Sequence, residues 1–387
     1  MSSNKQNANL RAAVVTCNFW PENIAMAIRM RYLVDALIRH GFATTVYTSA
    51  RVKTDMNIQR VVNRLPPPSN MDVLFVRLLK EVSYGVETFL RLLFSNHDVY
   101  IVTSPPFVAS AIASVALWLK NKAFVFDVRD EYPEVFFSEE ILSPRGLPGM
   151  ALLSLEKFLY NKAFMVTTVT SNIVEKIRKK SLAPDKVVLF RNGYARNIVP
   201  SSSLDKSVFK VVFHGNLGKF QNPELICEVA ERCLRVGKKV QFEIYGWGNN
   251  IDTIKNREIA NLRYFGEVKH DQIASYISHV QLGISFQKNG EISKNSFPSK
   301  VLEFIGAGIP VLITPKSEAG DFVEKNGLGY QFDADDADGV YEGLLKIYED
   351  ESLWRSMRNN AMNVREKLSR DYLSSEFVSR LKEKLSE

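Results

Sequence analysis

At 387 residues the chain is too long for one ordinary hydrophobic core, so two α/β domains are expected. Its 45% hydrophobic and 24% charged residues exclude a disordered or low-complexity protein. The net charge of +7 is uneven: residues 1–200 carry 25 Lys and Arg against 16 Asp and Glu, whereas 201–387 carry 25 against 27. An anionic partner on the first half is implied, and a membrane surface is favoured over nucleic acid because no nucleic-acid motif occurs. Cys17, Cys227 and Cys233 form an odd set without metal-ligand spacing, which excludes a disulfide framework and suggests reduced thiols in the cytoplasm. The longest apolar run, Phe107 to Leu119, is shorter than the roughly 20 residues of a spanning helix, so a protein neither exported nor integral is expected.

In chain order, LRAAVVTC reads as a strand, followed by a helix from about Ile24 to Arg39 that Gly41 ends, and then ATTVYTS. RLLKEVSYGVETFLRLLFSN is amphipathic, and a helix packed on a sheet explains it better than one lying on a membrane. DVYIVTS, the helix PFVASAIASVALWLK, KAFVFDV, FMVTTVT and the helix SNIVEKIRKK continue the alternation. These strands are apolar almost throughout, as in a parallel sheet covered on both faces. The pattern stops at PSSSLDKS and begins again with KVVFHGNLG, QFEIYGWG, LRYFGEV, VQLGISF and PVLIT as strands. The expected organisation is a first doubly wound domain over 1–200, a second over 201–369, and a last helix, about 370–387, that packs back on the first. In such sheets ligands bind at the carboxyl ends of the strands, and two of these domains would face each other across a cleft.

The segment 295–314, NSFPSKVLEFIGAGIPVLIT, carries the most chemistry. Pro298 suits the first turn of a helix and Gly308 its end. Lys300 then sits in the first turn, where the helix dipole disfavours a cation unless an anion is bound there. Ser299 and Glu303 accompany it, Glu303 on the same face. A phosphate beside a diol-binding carboxylate suits a nucleotide; a surface Lys–Glu pair is the equal alternative. In KVVFHGNLGKFQN, Gly215 and Gly218 allow close backbone approach and Lys219 can meet phosphate, although a tight turn alone accounts for an isolated GxxG. Gly246, Gly248, Gly266 and Glu267 mark two further strand ends. In the first half, Asp127, Arg129, Asp130 and Glu134 gather at a strand exit; TSPP, with Ser104, marks another and reads as a rigid turn, and NFWPEN, with Asn23, makes a third. DADD, residues 333–336, precedes a helix and reads as a cap rather than a metal site. No zinc spacing, Walker A or G-x-G-x-x-G fingerprint occurs.

TSPP, FVFDVRDEYPE, LEKFLYNKAFMVTTVTSN, the NG of FRNG, HGNLGKFQN and above all FPSKVLEFIGAGIPVL together resemble the retaining glycosyltransferases of family 4, particularly bacterial enzymes of O-antigen and capsular polysaccharide synthesis. The resemblance implies a GT-B fold, two Rossmann-like domains, no metal or other cofactor, and a nucleotide diphosphate sugar as donor. Carried over by position, Glu303 binds the donor ribose; Lys300 and Lys219 bind the diphosphate. Ser296 and Phe297 offer backbone N–H groups to the sugar, and Glu267 and Val268 border the base. Gly215, Asn216, Gly246 and Ser299 complete the donor site. Asn295 stands where many members carry a glutamate near the sugar. Arg129 and Asp130 stand where many carry a histidine at the reaction centre. Arg cannot act as a base at neutral pH, so Asp130 is the catalytic candidate with Arg129 orienting, beside Lys300. Asn23, Ser104 and Glu134 are the acceptor candidates. The expected acceptor is a lipid-diphosphate-linked glycan at the inner membrane face. Arg51, Lys53, Arg60 and Arg64 are expected to meet anionic lipid. A nucleotide-sugar epimerase of the same architecture and a non-catalytic binding subunit are the rival readings.

Overall fold

The computed structural model describes residues 10–22, 24–49, 58–68, 73–138, 140–200, 207–269 and 272–387; Asn23, Arg51 and Lys53 lie outside them. The chain divides into two compact units, 1–191 with 374–387, and 192–373.

The first unit runs β1 (Arg11–Val15), α1 (Ala25–Arg39), β2 (Ala43–Thr48), β3 (Gln59–Val62), α2 (Leu74–Leu93), β4 (Val99–Ser104), α3 (Phe107–Leu119), β5 (Ala123–Val128), α4 (Glu134–Ser138), α5 (Leu147–Lys162), β6 (Met165–Thr168), α6 (Ser171–Lys180) and β7 (Val187–Leu189). Its strands form a parallel sheet in the order β3-β2-β1-β4-β5-β6-β7, with the winding direction reversing between β1 and β4. Phe124, Phe126, Tyr100 and Tyr160 fill one side of the sheet, and each fully buried side chain of this kind contributes about 1.5–3 kcal/mol. Gly41, at φ +87, ends α1 in a left-handed turn that L residues rarely adopt.

The second unit runs β8 (Phe209–Asn216), α7 (Pro223–Arg235), β9 (Val240–Trp247), α8 (Ile251–Lys255), β10 (Leu262–Gly266), α9 (Ile273–Ile277), β11 (Leu282–Phe286), α10 (Glu291–Asn295), α11 (Ser299–Gly306), β12 (Val311–Thr314), α12 (Glu318–Lys325), β13 (Gly329–Gln331), α13 (Ala337–Glu349) and α14 (Glu351–Val364). The parallel sheet has the order β10-β9-β8-β11-β12-β13, and its direction reverses between β8 and β11. Successive residues feed different cores: Val211 and Phe213 pack with α7 and α13 residues, whereas Val212 packs with Val301, Leu302 and Ile305 of α11. That is why the middle of β8, β11 and β12 reads as an apolar run.

Caps fix the helix starts. Asn222 Oδ1 accepts from Leu225 N at 3.2 Å at the start of α7, with Pro223 in the first turn. Asp336, the last residue of DADD, accepts from Gly339 N at 2.9 Å and caps α13. The final helix, α15 (Arg370–Ser386), starts in the second unit, and its residues from 374 onward group with the first.

Candidate functional site

The cluster of chemistry-bearing side chains lies in the second unit, at the carboxyl ends of β8 and β11. This is the switch point at which open α/β sheets bind ligands. The loop after β8 crosses directly to the exit of β11: Asn222 N donates to Phe286 O at 3.0 Å, Lys288 N to Phe220 O at 2.8 Å, and Gln221 pairs with Gln287 as an antiparallel bridge. Two glycines make the crossing possible. Gly215 has φ +104, and a Cβ on Gly246 would sit 2.0 Å from Gly215 O. Only a glycine at 246 lets β9 lie this close to the end of β8.

Lys300 enters from the first turn of α11. Its Nζ lies 3.6 Å from the Phe213 ring centroid and donates to Gln221 Oε1 at 3.1 Å. Both partners are neutral. Burial pushes the Lys300 ammonium down from 10.5 to about 7, and the charge of Glu303 opposes that shift. The surface Lys–Glu pair is therefore ruled out as a description: Lys300 is 9% and Glu303 2% exposed. Glu303, one turn further along α11, places Oε2 3.3 Å from Nε2 of the buried His214, whose ring meets Phe304 edge-on at 5.0 Å. The site thus holds a buried cation facing an amide, an aromatic ring and free space beside Gly215, next to a buried carboxylate with a histidine ring beside it.

The remaining donor candidates fall around this centre. Asn295 ends α10, and Ser296 to Pro298 are extended before α11 starts at Ser299, one residue later than Pro298 suggests. Ser296 N donates to Ser293 O and its hydroxyl to Gln287 Oε1 and Ser293 O, so its amide is engaged within the loop rather than turned to a ligand. Phe297 is buried and its ring meets Phe322 edge-on at 5.6 Å, anchoring this loop. Asn216 and Lys219 are exposed. Glu267 is exposed beyond β10, Val268 packs on the α11 core, and Phe265 stacks on Tyr245 at 4.8 Å.

In the first unit the charges at the strand exits are largely consumed internally. Asp127 turns inward, accepting from Arg29 Nη2 at 3.1 Å, Thr103 Oγ1 at 3.0 Å and Thr167 Oγ1 at 2.8 Å. Glu134 is paired with Lys180, which also holds the buried Glu156 at 2.9 Å. Burial, and after it crowding by Glu134, pushes Glu156 up to about 7. The Ser104 hydroxyl is buried, and Ser104 O accepts from Arg129 N at 3.2 Å, tying the exits of β4 and β5 together. Asp130 is exposed, and Arg129 beside it has a buried Nε without a hydrogen-bond partner. Among the described residues no group of three His, Cys, Asp or Glu could hold a metal ion.

Sequence reasoning gave no role to His214, Gln221 or Gln287. The first two lie inside the quoted HGNLGKFQN segment, and polar residues flanking a glycine turn at a strand exit were the available signal. Gln287 follows β11 directly and carried no motif.

Two doubly wound units of these topologies make the fold GT-B, that of many nucleotide-sugar glycosyltransferases. Over essentially its whole length the chain resembles sucrose-phosphate synthase from Thermosynechococcus elongatus (TM-score 0.72, 13% identity, 97% of this chain and 98% of that one). It also resembles HepE from Anabaena, solved in complex with UDP-glucose (TM-score 0.68, 12% identity, 97% and 100%). A Listeria monocytogenes protein described by assignment as a UDP-N-acetylglucosamine 2-epimerase is similar as well (TM-score 0.65, 12% identity, 97% and 96%). At such identities the likeness is one of fold. Residues 195–364, nearly all of the second unit, match the family model of Glycosyl transferases group 1. No curated protein sequence matches the chain.

Proposed function

We propose that the chain is a hexosyltransferase of the family 4 type, which moves a sugar from a nucleotide diphosphate donor to a lipid-diphosphate-linked glycan at the inner face of the cell membrane. The observation that carries the reading is Lys300, a buried cation whose partners are neutral, at the start of a helix on the switch point of the second sheet. An anion restores what burial costs the ammonium, and a helix start favours negative charge as well. Lys219 reaches the same diphosphate from the exposed loop, and Glu303, with His214 beside it, accepts from the ribose hydroxyls. Asn295, Ser296 and Phe297 line the sugar, and the base lies along Glu267 and Val268.

Leaving-group departure places negative charge on the β-phosphate, so preorganised donors there dominate the barrier. The role needs no metal. In the first unit the exposed Asp130, with Arg129 beside it, is the proposed group at the reaction centre, and configuration is retained. The product belongs to cell-surface polysaccharide synthesis.

Thermal-shift measurement with UDP-, GDP- and dTDP-sugars tests the donor site, since a ligand at about 100 times its Kd adds about 2.7 kcal/mol of stability. Stabilisation by one nucleotide series is expected, followed by nucleotide release that depends on an added lipid-linked acceptor. No stabilisation by any of the three would sink the reading. The fold likeness to an epimerase supports a second outcome, an epimerised sugar formed with no acceptor present.

A further inference from the structure

Helix α2 has two apolar faces, and only one of them is used. Its inner face is fixed to the unit: a Cβ on Gly85 would stand 3.0 Å from Ala109 Cα, Glu81 accepts from Val108 N at 3.1 Å, and Thr88 Oγ1 accepts from Asn63 Nδ2 at 2.7 Å. The helix cannot roll without losing these contacts. The opposite face carries Phe75 (71% exposed), Leu79 (54%), Val82 (43%), Val86 (45%), Leu90 (52%) and, just past the end, Phe94 (90%). These six follow at spacings of three and four, so they form one stripe along a helix about 30 Å long. An exposed contiguous stripe of this kind marks an interaction surface.

The charges beside the stripe identify what it meets. The Glu87 carboxylate accepts from Arg64 N and Leu65 N, both at 2.8 Å, bringing the exposed Arg64 and Leu65 alongside α2. Glu87 is also paired with Arg91, and Glu81 is buried, so neither carboxylate presents free negative charge. Lys120 Nζ donates to Leu92 O at 2.9 Å, which ties the end of α3, with its exposed Trp118 and Leu119, to the end of α2. Lys80 and Lys122 complete a cationic rim. Phe, Leu and Trp on one side with Lys and Arg at the edge is the composition of a helix lying in a bilayer interface. Among the described residues no helix is long and apolar enough to cross one.

We propose that the outer face of α2 docks flat on an anionic lipid bilayer, with Arg64, Lys80 and Lys122 meeting the headgroups. A second copy of the chain is the poorer occupant, because two cationic rims would be brought together. The proposal rests on the preceding reading for its purpose, delivery of a lipid-linked acceptor. It is measured with neither donor nor acceptor present, so the two readings fail separately.

The test is flotation of the full chain with phosphatidylcholine vesicles, with and without phosphatidylglycerol. Binding to the phosphatidylglycerol vesicles that weakens with salt is expected. The double substitution Leu79→Glu and Val86→Glu, at exposed positions, should reduce it roughly tenfold or more with the thermal midpoint unchanged. Arg64→Gln with Lys80→Gln should lower it about fivefold and flatten the salt dependence. Equal binding of the glutamate variant and the natural chain overturns the proposal. So does a dimer, seen by sedimentation velocity, that the glutamate pair abolishes while no vesicle binding occurs.

Discussion

At the end of β5 in the first unit, Asp127 finds its counter-charge inside the protein, in Arg29, and two threonine hydroxyls complete its hydrogen bonding. At the corresponding edge of the second unit, Lys300 finds an amide and a phenyl ring, and its ammonium falls to about 7. Both are buried charges at a sheet's carboxyl edge, yet one is settled by the fold and the other is left for a ligand. A charged residue at a strand exit therefore indicates function only when its partners leave the charge uncompensated. Arg29 also donates to the carbonyls of Phe190 and Arg191 and lies 3.8 Å over the Phe190 ring, which is the hallmark of a structural tie.

The contrast breaks most visibly at Arg29. Arg29→Leu leaves Asp127 buried without its cation and should cost about 3–5 kcal/mol in urea unfolding, an amount that a surface pair would not approach. Lys300→Ala should instead lower the rate of nucleotide release about 10²–10³-fold, roughly 3–4 kcal/mol of barrier. Its fold should be intact, and Lys300→Met should raise the stability of the unliganded protein by about 1 kcal/mol because a desolvated ammonium held by neutral hydrogen-bond and ring partners is removed. A rate loss under tenfold, or a destabilised methionine variant, would place Lys300 with Arg29 among structural charges.

His214→Ala sharpens the same division within the second unit. It should raise the donor KM about tenfold with a smaller effect on kcat, because it removes the imidazole that lies 3.3 Å from the Glu303 carboxylate and packs beside it. An equal fall in stability and no change in KM would make that pair structural.

The smallest expected effect is in pH. The folded value for Lys300, about 7, lies below the usual 10.5, so between these limits the unfolded chain holds a proton that the folded chain lacks. Stability from this site therefore falls as pH falls through that window, whereas the diphosphate favours the protonated lysine. Affinity for the nucleoside diphosphate should weaken about fivefold from pH 7 to pH 8, with proton uptake on binding measurable by calorimetry in buffers of different ionisation enthalpy. Lys300→Arg should abolish both.

The longer strands were legible because a parallel strand covered on both faces is a short apolar run bounded by turn residues. β1, β4, β5, β8 and β11 all read this way. β3, β7 and β13, of four, three and three residues, were not foreseen, since so short a strand exists only through the neighbour it pairs with. The helix from Pro298 to Gly308 was placed within two residues of its observed ends, because proline and glycine at its termini act locally. The extended stretch before it, in which Ser296 gives its amide to Ser293, was not legible, because that bond depends on the course of α10. The setting of α2 was half legible: its periodicity showed apolar residues, but one periodicity serves a face that packs and a face that stays exposed.

By itself the sequence determined which stretches become strands and helices, that they alternate into doubly wound sheets, and that Lys300 and Glu303 share a helix face. These follow from interactions between residues a few positions apart. Only the tertiary structure decided which charges are neutralised. Arg29 and Asp127 are 98 positions apart, and Lys300 and Gln221 are 79 apart. Whether a cation meets a carboxylate or an amide depends on which loops the sheet brings to one edge, and no local pattern encodes that.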